Sequence, residues 1–102
     1  MSETVFDKKG SVLTVYPEGR LDTATSPVLE KELQQHLDGV KNIIIDFERV
    51  EYISSAGLRV LLVVEQLAEG RGGSLRLIHV NNNILEILGL VGFLEVVAVN
   101  KD

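Results

Sequence analysis

The chain has 102 residues, 45% hydrophobic and 25% charged, with a formal net charge of −5. This length and balance fit one globular domain with a modest core, which must be mostly Leu, Ile and Val because aromatic residues make up only 5%. The absence of cysteine excludes disulfides, thiolate metal sites and a cysteine nucleophile. The acidic charge and the scattered lysine and arginine residues disfavour nucleic acid as a partner, because a phosphate backbone requires a clustered basic face.

The sequence carries no sign of export or of membrane insertion. The N-terminal stretch MSETVFDKK lacks an apolar segment after a basic start, so we expect no signal peptide. The longest strongly apolar run, residues 58–64, is interrupted by Arg59 and is too short to cross a bilayer. Together with the lack of cysteine, these features lead us to expect a cytoplasmic protein without a membrane partner.

The first part of the chain predicts two strands and a helix. Residues 3–7 are a strand candidate, and residues 11–17 alternate between two faces, which indicates a hairpin. Residues 20–25 are expected to form a loop. A helix is predicted from Ser26, which can cap the first amides, to Gly39, and its apolar side is formed by Val28, Leu29, Leu33 and Leu37.

The middle of the chain predicts the most buried elements. Residues 42–47 are an apolar run with β-branched residues, which is typical of a central strand buried on both faces. Residues 50–53 are interpreted as a link to a second helix at about residues 55–69, whose wide apolar arc indicates that it is well buried. Residues 74–80 alternate and predict a fourth strand.

The last part of the chain completes the predicted fold. Residues 81–83 are expected to cap a short third helix that contains residues 84–88 and stops at Gly89, and residues 95–99 predict a final strand. The resulting order, ββαβαβαβ, predicts a single α/β domain. We expect a mixed β-sheet of four to five strands with helices packed against it.

The most informative segment is IIIDFERVEYISSAGLRVLL at residues 43–62. A buried strand leads there to Ser54, Ser55 and Gly57 at the start of an apolar helix, where the first amides lack intrahelical acceptors and the helix dipole is positive. A phosphate on one of these serines would be well placed, and Gly57 would let another backbone come close. From the chemistry alone, however, capping is the commonest role of such a serine. Asp22, in the expected loop, is either a turn residue or a functional neighbour of Ser55.

The segment DFERVEYISSAGLRVLL resembles the signature of STAS domains, and especially of bacterial anti-sigma factor antagonists. In that family a phosphoacceptor serine stands two residues before a Gly-Leu pair. The pair here is Gly57-Leu58, so the resemblance implies that Ser55 is the acceptor, with Ser54 as the second choice.

The resemblance extends over residues 1–102, which we interpret as one STAS domain. GRLDTATSP, at residues 19–27, is similar to the family's loop and has Asp22 at its acidic position, and HVNNNILEILGLVGF is similar to its closing strand and helix. The chain departs from the common family pattern at Ser54, Ala56 and Arg59.

The resemblance implies a regulator that is not an enzyme and needs no cofactor. In its unphosphorylated form it would bind an anti-sigma factor with serine kinase activity and so free a sigma factor. Phosphorylation of Ser55 would break this complex, and a serine phosphatase would restore it. A monomer or weak dimer is expected. The partner-binding residues would be Asp22, Thr23, Ser54, Ala56, Gly57 and Arg59.

Two other functions are considered. Some STAS domains are never phosphorylated and serve as docking or scaffold modules in other bacterial signalling assemblies. A hydrolase with Ser55 as nucleophile would need a nearby histidine and an orienting acid, yet His36 is expected on the first helix and His79 inside a strand, and a GxSxG elbow is absent. Neither histidine has partner ligands at a suitable spacing, so no metal site is expected.

Overall fold

Residues 4–101 are described by a computed structural model, and strands and helices alternate in it much as the hydrophobic pattern predicts. The elements in chain order are β1 (Val5–Lys9), β2 (Val12–Tyr16), β3 (Gly19–Leu21), α1 (Ser26–Gln34), β4 (Asn42–Asp46), β5 (Val50–Ile53), α2 (Ser55–Gly70), β6 (Leu75–Ile78), α3 (Asn82–Leu90) and β7 (Ala98–Val99). The main sheet has the order β1-β2-β4-β6-β7; β1 is antiparallel to β2, and the other neighbours are parallel. The predicted α/β domain with a mixed sheet is thus confirmed.

One face of the main sheet carries most of the core. The residues paired across β2, β4 and β6 form two buried rows, Leu13–Ile43–Leu75 and Val15–Ile45–Leu77. Burial of each such aliphatic side chain stabilises the fold by about 1.5–3 kcal/mol, so the rows also set the strand register. Ile44 points to the opposite face and is only half-buried. The expectation that this strand is buried on both faces is therefore wrong, because the second face is only partly covered.

The helix α2 is well buried, as its wide apolar arc predicts. It packs on β4, β5 and β6 and also contacts α1. Its buried residues are Gly57, Val60, Leu61, Val64 and Ala68. Within residues 4–101, no helix combines the length and apolar character needed to cross a membrane.

A second sheet, of two parallel strands, is formed by β3 and β5. The interpretation of residues 20–25 as a loop throughout and of residues 50–53 as a plain link is wrong. Strands of three and four residues are too short to display an alternating pattern, so only their pairing reveals them.

The ends of α1 differ from the prediction. The N-cap position is occupied by Thr25 without a side-chain cap bond, and Ser26 lies inside the helix with its Oγ buried and unbonded among the described residues. The helix ends at Gln34, well before Gly39, because the next amides bond to carbonyls only three residues back and tighten the turn.

The C-terminal segment also departs from the prediction at its ends. Asn81 caps α3 as expected, accepting the Ile84 amide at 2.8 Å. The helix does not stop at Gly89 but continues to Leu90. The glycine whose left-handed backbone follows the end of this helix is Gly92, with φ 77°. Residues 93–95 form a 3-10 turn instead of the start of the final strand, which contains only Ala98–Val99.

Candidate functional site

The ends of β3 and β5 bring two distant segments of the chain together. Leu21 lies opposite Ile53 in this parallel pair, so the residues that follow each strand emerge at the same edge. We name these segments the Asp22 loop (residues 22–25) and the serine turn (residues 54–57). The amide of Ser54 donates to the carbonyl oxygen of Leu21 at 2.9 Å and joins the two segments directly. Asp22 and Ser54 thus each follow directly on a residue of the Leu21–Ile53 pair.

The two serines have different surroundings. Ser54 occupies the N-cap position of α2, but its half-buried hydroxyl donates to the carbonyl oxygen of Leu21 at 3.2 Å and does not cap the helix. Ser55 is the first residue of α2 and is exposed, and its hydroxyl makes no hydrogen bond to the other residues that the structure describes. A phosphoryl group on this hydroxyl would therefore break no hydrogen bond within residues 4–101.

The start of α2 is suited to an anion on Ser55. The first intrahelical hydrogen bond runs from the amide of Leu58 to the carbonyl oxygen of Ser54 at 3.0 Å. The amides of residues 55–57 precede this bond and have no acceptor within the helix. Together with the dipole of a 16-residue helix, they make this end positive.

Gly57 is buried beneath the serine turn. A Cβ atom at this position would lie 2.8 Å from the carbonyl oxygen of Leu21 and 2.7 Å from Cγ1 of Ile53. The glycine therefore allows α2 to begin directly against β3 and β5. We expected Gly57 to contact a partner. Its burial corrects this expectation, because the role of Gly57 is to let α2 pack closely against β3 and β5. Ala56 is half-buried, so Ser55 is the most open residue of the turn.

Asp22 holds its own loop in place. Its Oδ1 accepts the amides of Ala24 at 3.0 Å and Thr25 at 3.1 Å, and the Thr25 hydroxyl accepts the amide of Asp22 at 3.0 Å. The Thr25 amide, with a smaller contribution from Ala24, holds the pKa of Asp22 below its ordinary value, although desolvation opposes the shift. Asp22 therefore acts as a turn residue, which is one of the two roles considered for it. Thr23, in the same loop, is exposed.

Arg20 and Tyr52 flank the site, although the sequence analysis did not identify them. They face each other because β3 and β5 pair in register at these positions. The Arg20 guanidinium carbon lies 4.3 Å from the centre of the Tyr52 ring, and its Nε lies 3.5 Å from Oδ2 of Asp22. Such a cation–π contact contributes about 0.5–1 kcal/mol at an exposed position. No cue in the sequence reveals the pair without the β3–β5 register.

The outer face of α2 continues the exposed surface away from the serine turn. Five exposed side chains recur there every three or four residues and so share one side of the helix, namely Ser55, Arg59, Leu62, Gln66 and Glu69. Arg59 lies one turn beyond Ser55. Leu62 is 42% exposed, which makes it the apolar residue of this face.

Both histidines have neighbours that the sequence did not indicate. His36 lies just beyond α1 and stacks on Phe6, with 4.1 Å between the ring centroids. His79 lies just beyond β6, and not inside the strand as expected, with φ 57°. Its Nδ1 is 2.9 Å from Oδ1 of Asp46 and 3.7 Å from Oε1 of Glu48. The expectation that neither histidine has convergent ligands is therefore wrong for His79.

Comparisons with known proteins agree with this geometry. The family model of the STAS domain matches residues 3–102. The chain is 34% identical over 91 residues to BtrV of Bordetella bronchiseptica, which is named as an anti-sigma factor antagonist, and the match covers 88% of this chain and 78% of that protein. It is 23% identical over 82 residues to the anti-sigma-B factor antagonist of Bacillus subtilis, covering 80% and 75% respectively. A crystal structure of a Thermotoga maritima protein, described as an anti-sigma factor antagonist, shares the fold with a TM-score of 0.89 at 19% identity and covers 96% of this chain and 86% of that one.

Proposed function

This chain belongs to the STAS domain family, and we propose that it is an anti-sigma factor antagonist whose docking is switched by phosphorylation of Ser55. Anti-sigma factor antagonists of this family are regulatory proteins without catalytic activity. The observation that carries the proposal is the contrast between the serines: Ser54 is tied to β3, whereas Ser55 is exposed at the positive end of α2.

In its unphosphorylated state the protein binds an anti-sigma factor that is also a serine kinase. The docking surface comprises Asp22, Thr23, Ser54, Ala56 and the outer face of α2, including Arg59. Binding occupies the anti-sigma factor and so releases the sigma factor. Because these partners act on transcription, we place the protein in the cytoplasm. We expect it to act as a monomer or weak dimer and to need no cofactor.

Phosphorylation then ends the interaction. The kinase transfers the γ-phosphoryl group of ATP to the Oγ of Ser55, which loses its proton, and ADP is the other product. The phosphate adds about −1.5 to −2 charges to the docking surface. Burying this charge against the partner without a matching positive group costs several kcal/mol, so we expect affinity to fall by much more than tenfold. A serine phosphatase restores the docking form by hydrolysis.

The free protein should tolerate the modification without refolding. The helix end offers unpaired amides to the phosphate, and the Ser55 hydroxyl makes no hydrogen bond to the described part of the chain that must be broken. The switch therefore acts at the interface with the partner, and the fold of the domain stays the same in both states.

The test combines kinase assays with binding measurements. The cognate anti-sigma factor kinase and ATP should phosphorylate the wild-type protein and the Ser54→Ala control but not Ser55→Ala, with the modified position read by mass spectrometry. In calorimetry Ser55→Ala should bind that kinase and Ser55→Asp should bind it weakly. Phosphate on Ser54 and not on Ser55 would reject Ser55 as the acceptor. Equal affinity of the two Ser55 variants would reject the switch and favour a docking module that is not phosphorylated.

A further inference from the structure

Three potential metal ligands converge at the carboxyl ends of β4 and β6. Asp46 ends β4, Glu48 follows it in the next turn, and His79 comes directly after β6. One ligand atom of each residue lies within 4.8 Å of those of the other two. We propose that this triad binds a divalent first-row transition metal ion, with Zn²⁺ as the reference ion. The proposal does not depend on the function proposed for Ser55.

The two distances from His79 to the carboxylates are compatible with a tetrahedral ion. Bonds of about 2.0–2.1 Å from Zn²⁺ to nitrogen and oxygen place neighbouring ligand atoms roughly 3.3–3.4 Å apart. The His79 Nδ1 lies 2.9 Å from the Asp46 oxygen and 3.7 Å from the Glu48 oxygen, so the two distances bracket this value. An imidazole ligand favours Zn²⁺ and its neighbours in the first transition row over Mg²⁺ and Ca²⁺, which prefer ligand sets made only of oxygen.

The fold positions Asp46 and the strand end that carries His79. Asp46 is buried, and its Oδ1 also accepts the amide of Glu48 at 2.9 Å, which orients the carboxylate. The strand ends are joined by the amide of Phe47, which donates to the carbonyl oxygen of Ile78 at 2.8 Å. The site is therefore built on two paired strands of the main sheet, and an ion would find most of its coordination geometry already formed.

The ligands of the triad are also accessible from solvent. Asp46 and Glu48 line a cleft of about 410 Å³ whose walls include Tyr16 and Arg49. His79 does not line this cleft, but its side chain is 40% exposed. The Glu48 side chain is 73% exposed, which provides an entry path and leaves room for water at a fourth coordination position. Arg49 brings a positive charge to this cleft, but its guanidinium is paired with Glu18 at 3.3 Å.

An ordinary ion pair between His79 and Asp46 is the competing explanation. It accounts for the short contact between these two groups and for the longer contact of His79 with Glu48, but it predicts no affinity for a metal. The two explanations therefore differ in what they predict for titration with Zn²⁺ and for a Glu48 variant.

The test is calorimetric titration of the full chain with ZnCl₂ in a buffer that does not chelate metals. We expect one saturable site per chain and weak or absent binding of MgCl₂. His79→Ala and Glu48→Gln should each reduce the affinity for Zn²⁺ by at least about 10-fold, because losing a direct ligand costs no less than losing an outer-shell partner. Glu51→Gln removes an exposed carboxylate outside the triad and should leave the affinity unchanged. In NMR spectra, Co²⁺ should broaden the ring signals of His79 before those of His36.

Several results would overturn the proposal. They are the absence of saturable Zn²⁺ binding, equal affinity for Mg²⁺ and Zn²⁺, or a loss of affinity in Glu51→Gln as large as that in Glu48→Gln. If His79→Ala fails to fold, Glu48→Gln decides the question, because its exposed side chain is not part of the core.

Discussion

Replacing Gly57 by alanine would insert one methyl group into the tightest contact of the serine turn. The new carbon would lie 2.7 Å from Cγ1 of Ile53, 2.8 Å from the carbonyl oxygen of Leu21 and 3.0 Å from its Cβ. Carbon atoms in favourable contact are about 3.5–4.0 Å apart, so α2 or the end of β3 must move by roughly 0.5–1 Å. The Ile53 side chain can yield, but the Leu21 carbonyl belongs to a paired strand and cannot move alone.

Two opposing effects determine the free energy change. In an unobstructed helix, alanine stabilises by about 1 kcal/mol relative to glycine. Overpacking of a buried contact costs about 1–3 kcal/mol, and a backbone neighbour favours the upper end of that range. We therefore expect Gly57→Ala to lower the free energy of unfolding by about 1–2 kcal/mol and the Tm by about 4–16 °C.

Gly70→Ala is the matched control, because it makes the same substitution in the same helix. Apart from its chain neighbours and the backbone of its own helix, no atom of residues 4–101 lies within 4 Å of a Cβ placed at Gly70, and its backbone is not left-handed. This variant should be stabilised by up to about 1 kcal/mol. Urea unfolding followed by circular dichroism would measure both variants, and the two changes should have opposite signs.

The reasoning fails if Gly57→Ala is as stable as the wild-type protein or more stable. That result would mean that α2 does not press against the end of β3. In addition, because a shift of α2 weakens the bonds from Ser54 to Leu21, the amide of Ser54 should lose protection from hydrogen exchange in Gly57→Ala. Unchanged protection would argue against the proposed contact even if the stability falls.

Three further predictions concern a cap and two carboxyl groups. Asn81→Ala removes the side-chain cap of α3 and should lower the free energy of unfolding by about 1 kcal/mol in urea; Asn82→Ala is the control, and equal losses would contradict the capping role. Burial and the charge of Glu69 raise the pKa of Glu65, so its ionised form destabilises the fold. Glu65→Gln should therefore raise the Tm slightly at pH 7, where Glu65 is ionised. The gain should disappear below the ordinary Glu pKa, and an advantage that persists there would refute this. The pKa of Asp22 is lowered, so its stabilising effect is complete above the ordinary Asp pKa and is lost as the pH falls through the folded value. Asp22→Asn should therefore be less stable than wild type at pH 7, and a deficit equally large at pH 2 would contradict the assignment.

Most of the main elements could be predicted, because their evidence lies within each segment. The alternation of Leu13 and Val15 with more exposed residues predicts β2, and the apolar arc after Ser55 predicts α2, and both form as expected. The errors lie at helix ends and in very short strands. The end of α1 depends on which carbonyls its last amides reach, and the β3–β5 pair has too few residues to show a pattern.

The sequence by itself determined the order of the three helices and the main-sheet strands, the aliphatic core and the position of the serines at the start of α2, because hydrophobic period and helix-start residues are local properties. Only the tertiary structure decided that Ser54 is tied to Leu21 while Ser55 stays exposed, and that His79 meets Asp46. Each of these two contacts joins residues 33 positions apart. The physical reason is that both contacts depend on parallel pairing between strands separated by a helix, which no local pattern of side chains specifies.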